Sequence, residues 1–255
     1  MSRHEVSTLV PAFALAFALV SAWARPSDAA PGDSPGVAVV ELFSSEGCSS
    51  CPPAERYLAD LAEEARRSGR RILPLEFHVD YWNHLGWADP FSSAAFSRRQ
   101  EDYVRALDLA QMYTPQMIVN GTEEFVGSDR GRGARAVELA LSHAPRVQVR
   151  AWAKRAGKGW LVGYHLSGST DGAQVCVALV ESGLVSRVRR GENSGRTLEH
   201  TGVVRRFESV AIGVGGQGTL TLEPHVDIRA GRGRAVVFVQ DPRTSAILGA
   251  AAVDL

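Results

Sequence analysis

The chain has 255 residues, 28 basic and 28 acidic side chains, and a formal net charge of +0 at pH 7. A neutral chain lacks the basic surface that nucleic acids and acidic membranes attract, so we expect neither as a partner. Its 3 cysteines are too few for a small secreted domain that depends on several disulfides.

The N-terminus has the pattern of a signal peptide. Basic residues precede an apolar run over residues 9–20, which is too short for a helix that spans a bilayer core of about 30 Å. Small residues before the expected cut predict cleavage after Ala24. We therefore expect a signal peptide over 1–24 and a linker over 25–36. The protein would be exported, periplasmic or secreted, with no membrane span in its mature chain.

An alternation of strands and helices follows. Short apolar runs rich in β-branched residues predict buried strands, and apolar positions spaced three and four apart predict amphipathic helices. Asn120 and Gly121 give the strongest turn signal and predict a hairpin. In chain order we expect a strand over 36–43, a helix over 52–67, a strand over 71–79, a helix over 92–109, the hairpin over 115–127 and a helix over 131–143.

The pattern changes after Pro145. Short segments alternate in polarity by twos and are separated by Gly, Asp and Pro, which predicts antiparallel strands. We expect an α/β domain over 37–144, followed by an all-β, sandwich-like accessory domain over 145–255. Cys176 lies in an apolar, strand-like stretch, where a thiol behaves as a small hydrophobe, and we expect it to be inert.

The other two cysteines, Cys48 and Cys51, lie between the first predicted strand and the first predicted helix. The unpaired N–H groups and the dipole at a helix N-terminus lower the pKa of a thiol there. Cys48 would be the exposed nucleophile, and Cys51, one turn further on, the resolving thiol. Pro52 and Pro53 fit the first helical turn, where a missing N–H costs little. The pair is a redox dithiol, a structural disulfide or part of a metal site.

A second motif, "YTPQMIVNG", places Thr114 and Pro115 just before a strand. This motif follows "ELFSSEGCSSCPPAE" in the order that makes residues 37–143 resemble the thioredoxin fold. The resemblance implies a cis peptide bond at Pro115 that faces the dithiol. It also implies that the backbone of Thr114 holds an extended substrate.

The whole mature chain resembles a group of exported bacterial proteins of unknown function with this fold. The motifs that carry the resemblance are "ELFSSEGCSSCPP", "HVDYWNHLGWADPF", "YTPQMIVNG" and "GENSGRTLEHTGVVR". It implies a thioredoxin-like domain and thiol redox chemistry, without indicating a substrate.

Glu41 lies on the strand before the dithiol, near the position where thioredoxins bury an acidic residue. There its carboxyl could take the proton from Cys51 when that thiol attacks a mixed disulfide. The alternative is a carboxylate at the end of an edge strand, with no such role. Glu46 lies in the loop, and we expect it to be solvated.

Residues 78–91 concentrate aromatic side chains in a chain that is only 7% aromatic. Trp82 and Trp87 could form a substrate-binding rim beside the dithiol, because aromatic anchors dominate binding energies. The alternative, which we favour for most of these aromatic residues, is a local core over the sheet.

A metal site is a further alternative for the cysteine pair. Cys48 and Cys51 could bind copper together with His78 or His84. A structural zinc site would require a second cysteine pair, and the sequence has none.

Residues 189–207 are polar, basic and interrupted by glycine. Arg196 and His200 could contact a partner or reach the thioredoxin-like half of the chain. The alternative is an ordinary long connection with a solvated run of charge.

We expect an exported thiol–disulfide oxidoreductase that acts on thiol or disulfide protein substrates together with a redox partner. It would need no cofactor beyond the cysteine pair. The candidate site residues are Cys48, Cys51, Glu41, Thr114, Pro115, Trp82 and Trp87. The alternative function is a non-catalytic binding module or a copper-handling protein, in which the cysteine pair is structural or binds the metal.

Overall fold

The computed structural model of the chain describes Met1 and residues 35–255. Apart from Met1, the expected signal peptide over 1–24 lies outside the described residues, as does nearly all of the linker over 25–36. Within the described part of the chain, none of the helices combines the length and the apolar character that a membrane crossing requires.

The first half of the described chain alternates strands and helices, as the sequence predicts. Helix α1 (Pro52–Ser68) has Pro52 and Pro53 in its first turn, and Gly69, which has a left-handed φ of 71°, caps its C-terminus. Asn120 and Gly121 both have positive φ, as a tight hairpin turn requires. The elements are β1 (Ala38–Ser44), α1 (Pro52–Ser68), β2 (Ile72–His78), α2 (Ala94–Ala106), β3 (Gln116–Val119), β4 (Glu123–Val126) and α3 (Arg130–Ser142).

The second half is built of strands. The segment 189–207, for which an ordinary long connection was one alternative, is a connection only in its first part, because it also contains β9 (Thr197–His200) and the start of β10 (Val203–Ala211). Side chains of β9 alternate between exposed and buried, but a run of four residues is too short for its periodicity to be recognised in a sequence. The strands are β5 (Gln148–Ala156), β6 (Gly159–Ser167), β7 (Gln174–Glu181), β8 (Leu184–Arg187), β9 (Thr197–His200), β10 (Val203–Ala211), β11 (Gln217–Leu222), β12 (Gly233–Gln240) and β13 (Ile247–Asp254).

Strands of both halves share one mixed sheet. Among residues 35–255 it is 8-stranded, in the order β13–β12–β7–β10–β2–β1–β3–β4. β1 and β2 run parallel, whereas β3 is antiparallel to β1 and to β4. The halves meet at β2 and β10, where the Glu76 N–H donates to the Gly202 carbonyl over 2.8 Å. The division into two domains near 144–145 therefore stays a prediction.

A smaller sheet forms a second layer in the second half of the chain. Its strands lie in the order β11–β6–β5. Apolar side chains of β5 and β6 pack against those of β7 and β12 in one buried cluster. The hairpin of β8 and β9 stands apart as a two-stranded sheet, and it carries residues to the cysteine pair.

The two faces of β1 belong to different apolar clusters. Leu42 packs with Leu58 of α1. Phe43 packs instead with Phe96 of α2 and with Phe238 of β12. Because successive residues of a strand point to opposite sides, the odd-numbered side chains of β1 face α2 and the second half. The even-numbered ones face α1.

Cys176 is a free thiol on β7, and it is fully buried. Burial raises the pKa of this thiol to about 11, which disfavours the reactive thiolate at neutral pH. The structure thus agrees with the expectation of an inert thiol.

Candidate active site

Cys48 and Cys51 form a disulfide between β1 and α1, with a Cα–Cα distance of 5.5 Å. Cys51 is the residue that caps the N-terminus of α1, so the pair occupies the helix terminus that the sequence predicts. Both cysteines have 0% of their surface exposed. The expectation that Cys48 is exposed is therefore wrong, and the cause is a segment far away in sequence.

That segment is the connection between β8 and β9, which we call the 188–196 loop. Asn193 of this loop is buried, and its Nδ2 donates to the carbonyls of Glu46 and Cys48, each over 2.9 Å. The backbone N–H of Ser49 donates to Glu192 Oε2 over 3.0 Å. The 188–196 loop is thus bonded directly to the loop that carries the cysteines.

Trp82 lies between the cysteine loop and the proline motif. Its Nε1 donates to Thr114 Oγ1 over 2.9 Å. On its other side its Cβ approaches Gly47 so closely that a Cβ at that glycine would lie 3.1 Å away. The Thr114–Pro115 peptide bond is cis, as the resemblance to thioredoxin implies. Substrate binding by these residues stays a prediction.

Trp87 also contacts the cysteine loop, and like Trp82 it belongs to the aromatic-rich segment 78–91, which we call the insertion. Its Nε1 donates to Glu46 Oε2 over 2.6 Å. Glu46 has 0% of its surface exposed, so the expectation that it is solvated is wrong. Its backbone N–H donates to Asp89 Oδ2 over 2.8 Å, which joins the cysteine loop to the end of the insertion.

A buried group of charged side chains adjoins the cysteine loop through Glu46, and we call it the histidine–carboxylate cluster. His78 Nδ1 lies 2.7 Å from Asp89 Oδ2. His200 lies between two carboxyl groups, with Nδ1 at 3.1 Å from Glu76 Oε1 and Nε2 at 3.2 Å from Glu46 Oε1. All five side chains are buried. The cluster therefore runs without a break from the insertion to the residue two places before Cys48.

The charges of the cluster stabilise one another against the cost of burial. Burial opposes ionisation of Glu76, but His200 and His78 outweigh it and lower the pKa of Glu76 to about 2. Burial also opposes protonation of His200, yet Glu76 and Glu46 raise its pKa to about 10. Despite burial, His78 has a pKa well above its ordinary value because Asp89 and Glu76 lie beside it. The cluster is thus a network of ionised groups.

Two side chains that the sequence singled out in 189–207 have separate positions. His200 belongs to the cluster and reaches the first half of the chain, as one alternative foresaw. Arg196 is exposed, and its Nη1 donates to Asn193 Oδ1 over 2.9 Å. Arg196 therefore orients Asn193, whose side chain holds the cysteine loop. This hydrogen bond does not bring Arg196 itself to the cysteines.

Glu55 is a candidate that sequence reasoning missed. It lies in the first turn of α1, four residues after Cys51, so both side chains leave the same face of the helix. Ser44 Oγ donates to Glu55 Oε1 over 2.6 Å. Burial, and then the charge of Glu76, raise the pKa of Glu55 to about 7, which suits a general base at neutral pH. The sequence feature that could have identified Glu55 is its position one helical turn after the second cysteine.

Glu41 does not face the helix that carries the cysteines. Arg99 of α2 donates to both oxygens of its carboxylate, over 2.6 and 2.9 Å, and Tyr103 donates to it as well. Strand β1 lies between β2 and β3 in the sheet, so Glu41 is not at an edge either. The structure corrects the expectation that it takes the proton of Cys51, because an odd-numbered side chain of β1 points away from α1.

The histidines considered as copper ligands also have other partners. His78 is held in the cluster, and His84 is exposed, with Nδ1 at 2.7 Å from the carbonyl of Tyr81. Among the described residues, the group of three side chains close enough to share a metal ion is Glu76, His78 and His200. Copper binding by the cysteine pair stays a prediction.

Comparisons with known proteins identify the family of this chain. The family model described as "Protein of unknown function (DUF1223)" matches residues 39–240. The crystal structure of a protein from Agrobacterium tumefaciens has a TM-score of 0.65 and 30% identity to this chain, and covers 87% of this chain and 96% of that one.

Two further matches are more distant. HBP35 of Porphyromonas gingivalis has a TM-score of 0.66 at 13% identity, with 88% of this chain and 76% of that one covered, which shows a shared fold alone. Thioredoxin of Methanocaldococcus jannaschii is 27% identical over 89 residues, or 35% of this chain and 78% of that protein. In coarse terms, this match and the Cys48–Cys51 disulfide fit a thiol–disulfide role.

Proposed function

The chain belongs to the DUF1223 family, and we propose that it is an exported thiol–disulfide oxidoreductase whose reactive group is the Cys48–Cys51 pair. The observation that supports this most is the position of the disulfide at the N-terminus of α1. The helix dipole and unpaired N–H groups stabilise a thiolate there. A disulfide that served only as a staple would gain nothing from this position.

The reaction uses a mixed disulfide in both directions. In the reductive direction the Cys48 thiolate attacks one sulfur of a substrate disulfide, and the other substrate sulfur leaves as a thiolate. Cys51 then gives its proton to Glu55 and attacks the Cys48 sulfur. The Cys48–Cys51 disulfide forms, the second substrate sulfur leaves as a thiolate, and two electrons have passed to the substrate. A dithiol partner restores the reduced pair, and the reverse sequence oxidises a dithiol substrate.

Glu55 takes the role that the sequence had given to Glu41. A carboxyl with a pKa of about 7 accepts a proton at neutral pH and returns it readily, which is the requirement for proton transfer to and from the resolving thiol. Glu41 cannot serve in this way, because Arg99 binds both of its oxygens.

Access to Cys48 requires a movement of the 188–196 loop. The loop is bonded to the cysteine loop through Asn193 and Glu192, and displacement of these bonds would expose the disulfide to a substrate. The substrate would then lie along the Thr114–Pro115 segment, with Trp82 beside it.

We place the reactive half of the protein in a thioredoxin-like domain over 37–144 and the sandwich-like accessory domain over 145–255. The signal-peptide pattern of the N-terminus supports export to the periplasm or the medium. Cell fractionation of the native host, with and without deletion of residues 1–24, tests this location.

The oxidoreductase activity is tested with a fluorescent substrate that contains one disulfide and with glutathione as the reductant. Cys48→Ser should abolish turnover. Cys51→Ser should trap a mixed disulfide that mass spectrometry detects. Cys176→Ala is the matched control and should retain the activity. Turnover that survives Cys48→Ser would contradict the proposal, as would a wild-type rate equal to the uncatalysed one.

A further inference from the structure

The interior of the histidine–carboxylate cluster has the composition of a metal-ligand set. One ligand atom from each of Glu76, His78 and His200 lies within 4.8 Å of the others, and all three side chains are buried. His78 Nε2 has no hydrogen-bond partner within the described residues, although it lies 3.2 Å from Glu76 Oε1. The two atoms are close enough for an ion pair, but they are not aligned as a hydrogen bond, and a bound ion would account for a buried ring nitrogen in this position.

The spacing of the ligand atoms fits a small ion. His78 Nε2 and His200 Nδ1 lie 3.2 and 3.1 Å from the same oxygen, Glu76 Oε1. Ligands bound about 2.0–2.1 Å from a tetrahedral zinc ion are separated from one another by about 3.3 Å. These two separations therefore require only small adjustments to accept an ion, and the third, between the two ring nitrogens, is no longer than 4.8 Å.

Each ligand is also oriented by a partner outside the set. Asp89 holds the far nitrogen of His78, and Glu46 holds the far nitrogen of His200. The second oxygen of Glu76 accepts from the backbone N–H of Thr201 over 3.3 Å. Carboxylates that fix the far nitrogen of a ligating histidine are the usual outer partners of a bound metal.

We propose that Glu76, His78 and His200 bind a divalent transition-metal ion, of which Zn²⁺ fits best, and that the ion replaces the ring protons of His78 Nε2 and His200 Nδ1, which are released on binding. Two imidazoles and one carboxylate suit this ion, and they leave one coordination position for a water molecule or another small ligand. The site excludes the cysteines, and so differs from the copper site considered above. Because Glu76 and His78 lie on β2 and His200 on β9, the bound ion would join the two halves of the chain.

The test uses the whole protein with its disulfide intact. The protein is unfolded in urea with a chelator, refolded with one equivalent of Zn²⁺ or Co²⁺, and freed of unbound metal by gel filtration. Refolding gives the ion access to a site that is buried in the native protein. We expect one bound ion per chain and a Tm that rises with the Zn²⁺ concentration. Bound Co²⁺ should show visible d–d absorption without a thiolate charge-transfer band.

The variants identify the ligands. His200→Gln and His78→Gln should each weaken Zn²⁺ binding more than about 100-fold, whereas Asp89→Asn should weaken it about 10- to 100-fold. The matched controls are His84→Gln, an exposed histidine of the same insertion, and the double variant Cys48→Ser/Cys51→Ser. Both controls should bind as the wild type does.

X-ray absorption of the zinc-loaded wild type covers the case in which a histidine variant fails to fold. It should show two imidazole ligands and an oxygen ligand, with no sulfur. Substoichiometric Zn²⁺ after refolding, a sulfur ligand, or unchanged binding in both histidine variants would overturn the proposal. None of these results depends on oxidoreductase activity, so the metal site and the thiol chemistry fail or succeed separately.

Discussion

Two buried groups of charges in the described part of the chain differ in how completely their members are paired. The first, which we call the Arg99 pair, consists of Glu41 and Arg99 with Tyr103 and Gln240. The second is the histidine–carboxylate cluster, which adjoins the cysteine loop. Both join the two halves of the chain, but in the Arg99 pair each charge meets an opposite charge. In the cluster, two histidines lie among the three carboxyl groups of Glu46, Glu76 and Asp89.

The Arg99 pair is saturated. Arg99 donates through Nε and Nη2 to Glu41, and through Nη1 to Gln240 over 3.3 Å. Aromatic rings, among them Phe207 at 4.5 Å from Cζ, surround the guanidinium and add cation–π attraction. Such a group has no capacity left for chemistry, and its role is structural.

The histidine–carboxylate cluster is not saturated. It contains more carboxyl groups than histidines, and the ring nitrogen His78 Nε2 has no hydrogen bond within the described residues. It also touches the cysteine loop through Glu46. The contrast teaches that burial of charge alone does not mark a functional site. A functional site is better indicated by a buried polar atom that lacks a hydrogen bond and lies close to a reactive group.

Loss of Arg99 should have the largest effect on stability. Arg99→Met leaves Glu41 buried without its partner, and breaking a buried ion pair in this way costs about 3–5 kcal/mol in the free energy of unfolding. Chemical denaturation measures this loss in the free energy of unfolding. The reduction potential of the disulfide, by contrast, should stay as in the wild type.

Arg66→Met is the matched control for that variant. Arg66 pairs with Glu63 on the surface, with 73% and 46% of the side chains exposed, and such exposed pairs contribute little to stability. Equal losses in the two variants would remove the distinction between a buried and an exposed pair.

Glu55→Gln should have the largest effect on the chemistry. In chelator-treated wild-type protein, the rate of resolution of a mixed disulfide should rise with pH up to about 7, the pKa of Glu55, and then level off. The groups that face Glu55 are Glu76 and His78 of β2 and His200 of β9. Without the carboxylate, resolution should be about 100-fold slower and lose that inflection. Stopped-flow fluorescence of the mixed disulfide measures both.

The same carboxyl should affect the pH dependence of stability. Its pKa is raised from 4.5 to about 7 in the folded protein, so between these values the folded state holds a proton that the unfolded state has lost. The contribution of Glu55 to stability therefore falls as pH rises through this window. Glu55→Gln should remove this decrease in stability with rising pH. Glu63→Gln, at an exposed position of α1, should leave the decrease unchanged. An unchanged profile in Glu55→Gln would contradict the assignment.

A substitution in the 188–196 loop should have a smaller effect on stability and on access to the disulfide. Asn193→Ala removes the donor to the Glu46 and Cys48 carbonyls, and leaving buried acceptors unsatisfied costs about 1–3 kcal/mol. The disulfide should become accessible, and its reduction by dithiothreitol should be several times faster. Ser194→Ala, at an exposed position of the same loop, should change neither quantity. A rate of reduction in Asn193→Ala that is no faster than in the wild type would mean that the loop does not restrict access.

The smallest effect concerns Trp82. Trp82→Phe keeps most of the ring but loses the hydrogen bond to Thr114, worth about 0.5–1.5 kcal/mol. The KM for a peptide disulfide should rise while the reduction potential stays constant. Trp152→Phe, on an exposed strand position with 45% of the residue accessible, is the comparison. A KM that moves equally in both variants would exclude a role of Trp82 beside the substrate.

The local features of the fold were predictable from the sequence. Periodicity and capping residues gave α1 and α2 nearly to their ends, and Asn120 with Gly121 gave the hairpin. The position of Cys48 and Cys51 at a helix N-terminus followed from the proline pair and the preceding apolar strand. These features depend on residues that are close together in the chain.

The environment of the site was not predictable in the same way. The burial of Cys48 and Glu46 depends on Asn193, about 145 residues further along the chain. The direction of Glu41 depends on which face of β1 the helix α1 covers, and a strand buried on both faces carries no periodicity that would show it. Pairing of β10 with β2 is equally non-local, so the sequence does not show that strands of both halves share the 8-stranded sheet.

The reduction potential of the Cys48–Cys51 pair tests the central claim most directly. It is measured by equilibrium titration with glutathione in a Cys176→Ala background. The account predicts a reversible transition within the range of known dithiol oxidoreductases, about −270 to −120 mV. A potential below about −300 mV, typical of structural disulfides, would contradict it and make the pair a staple.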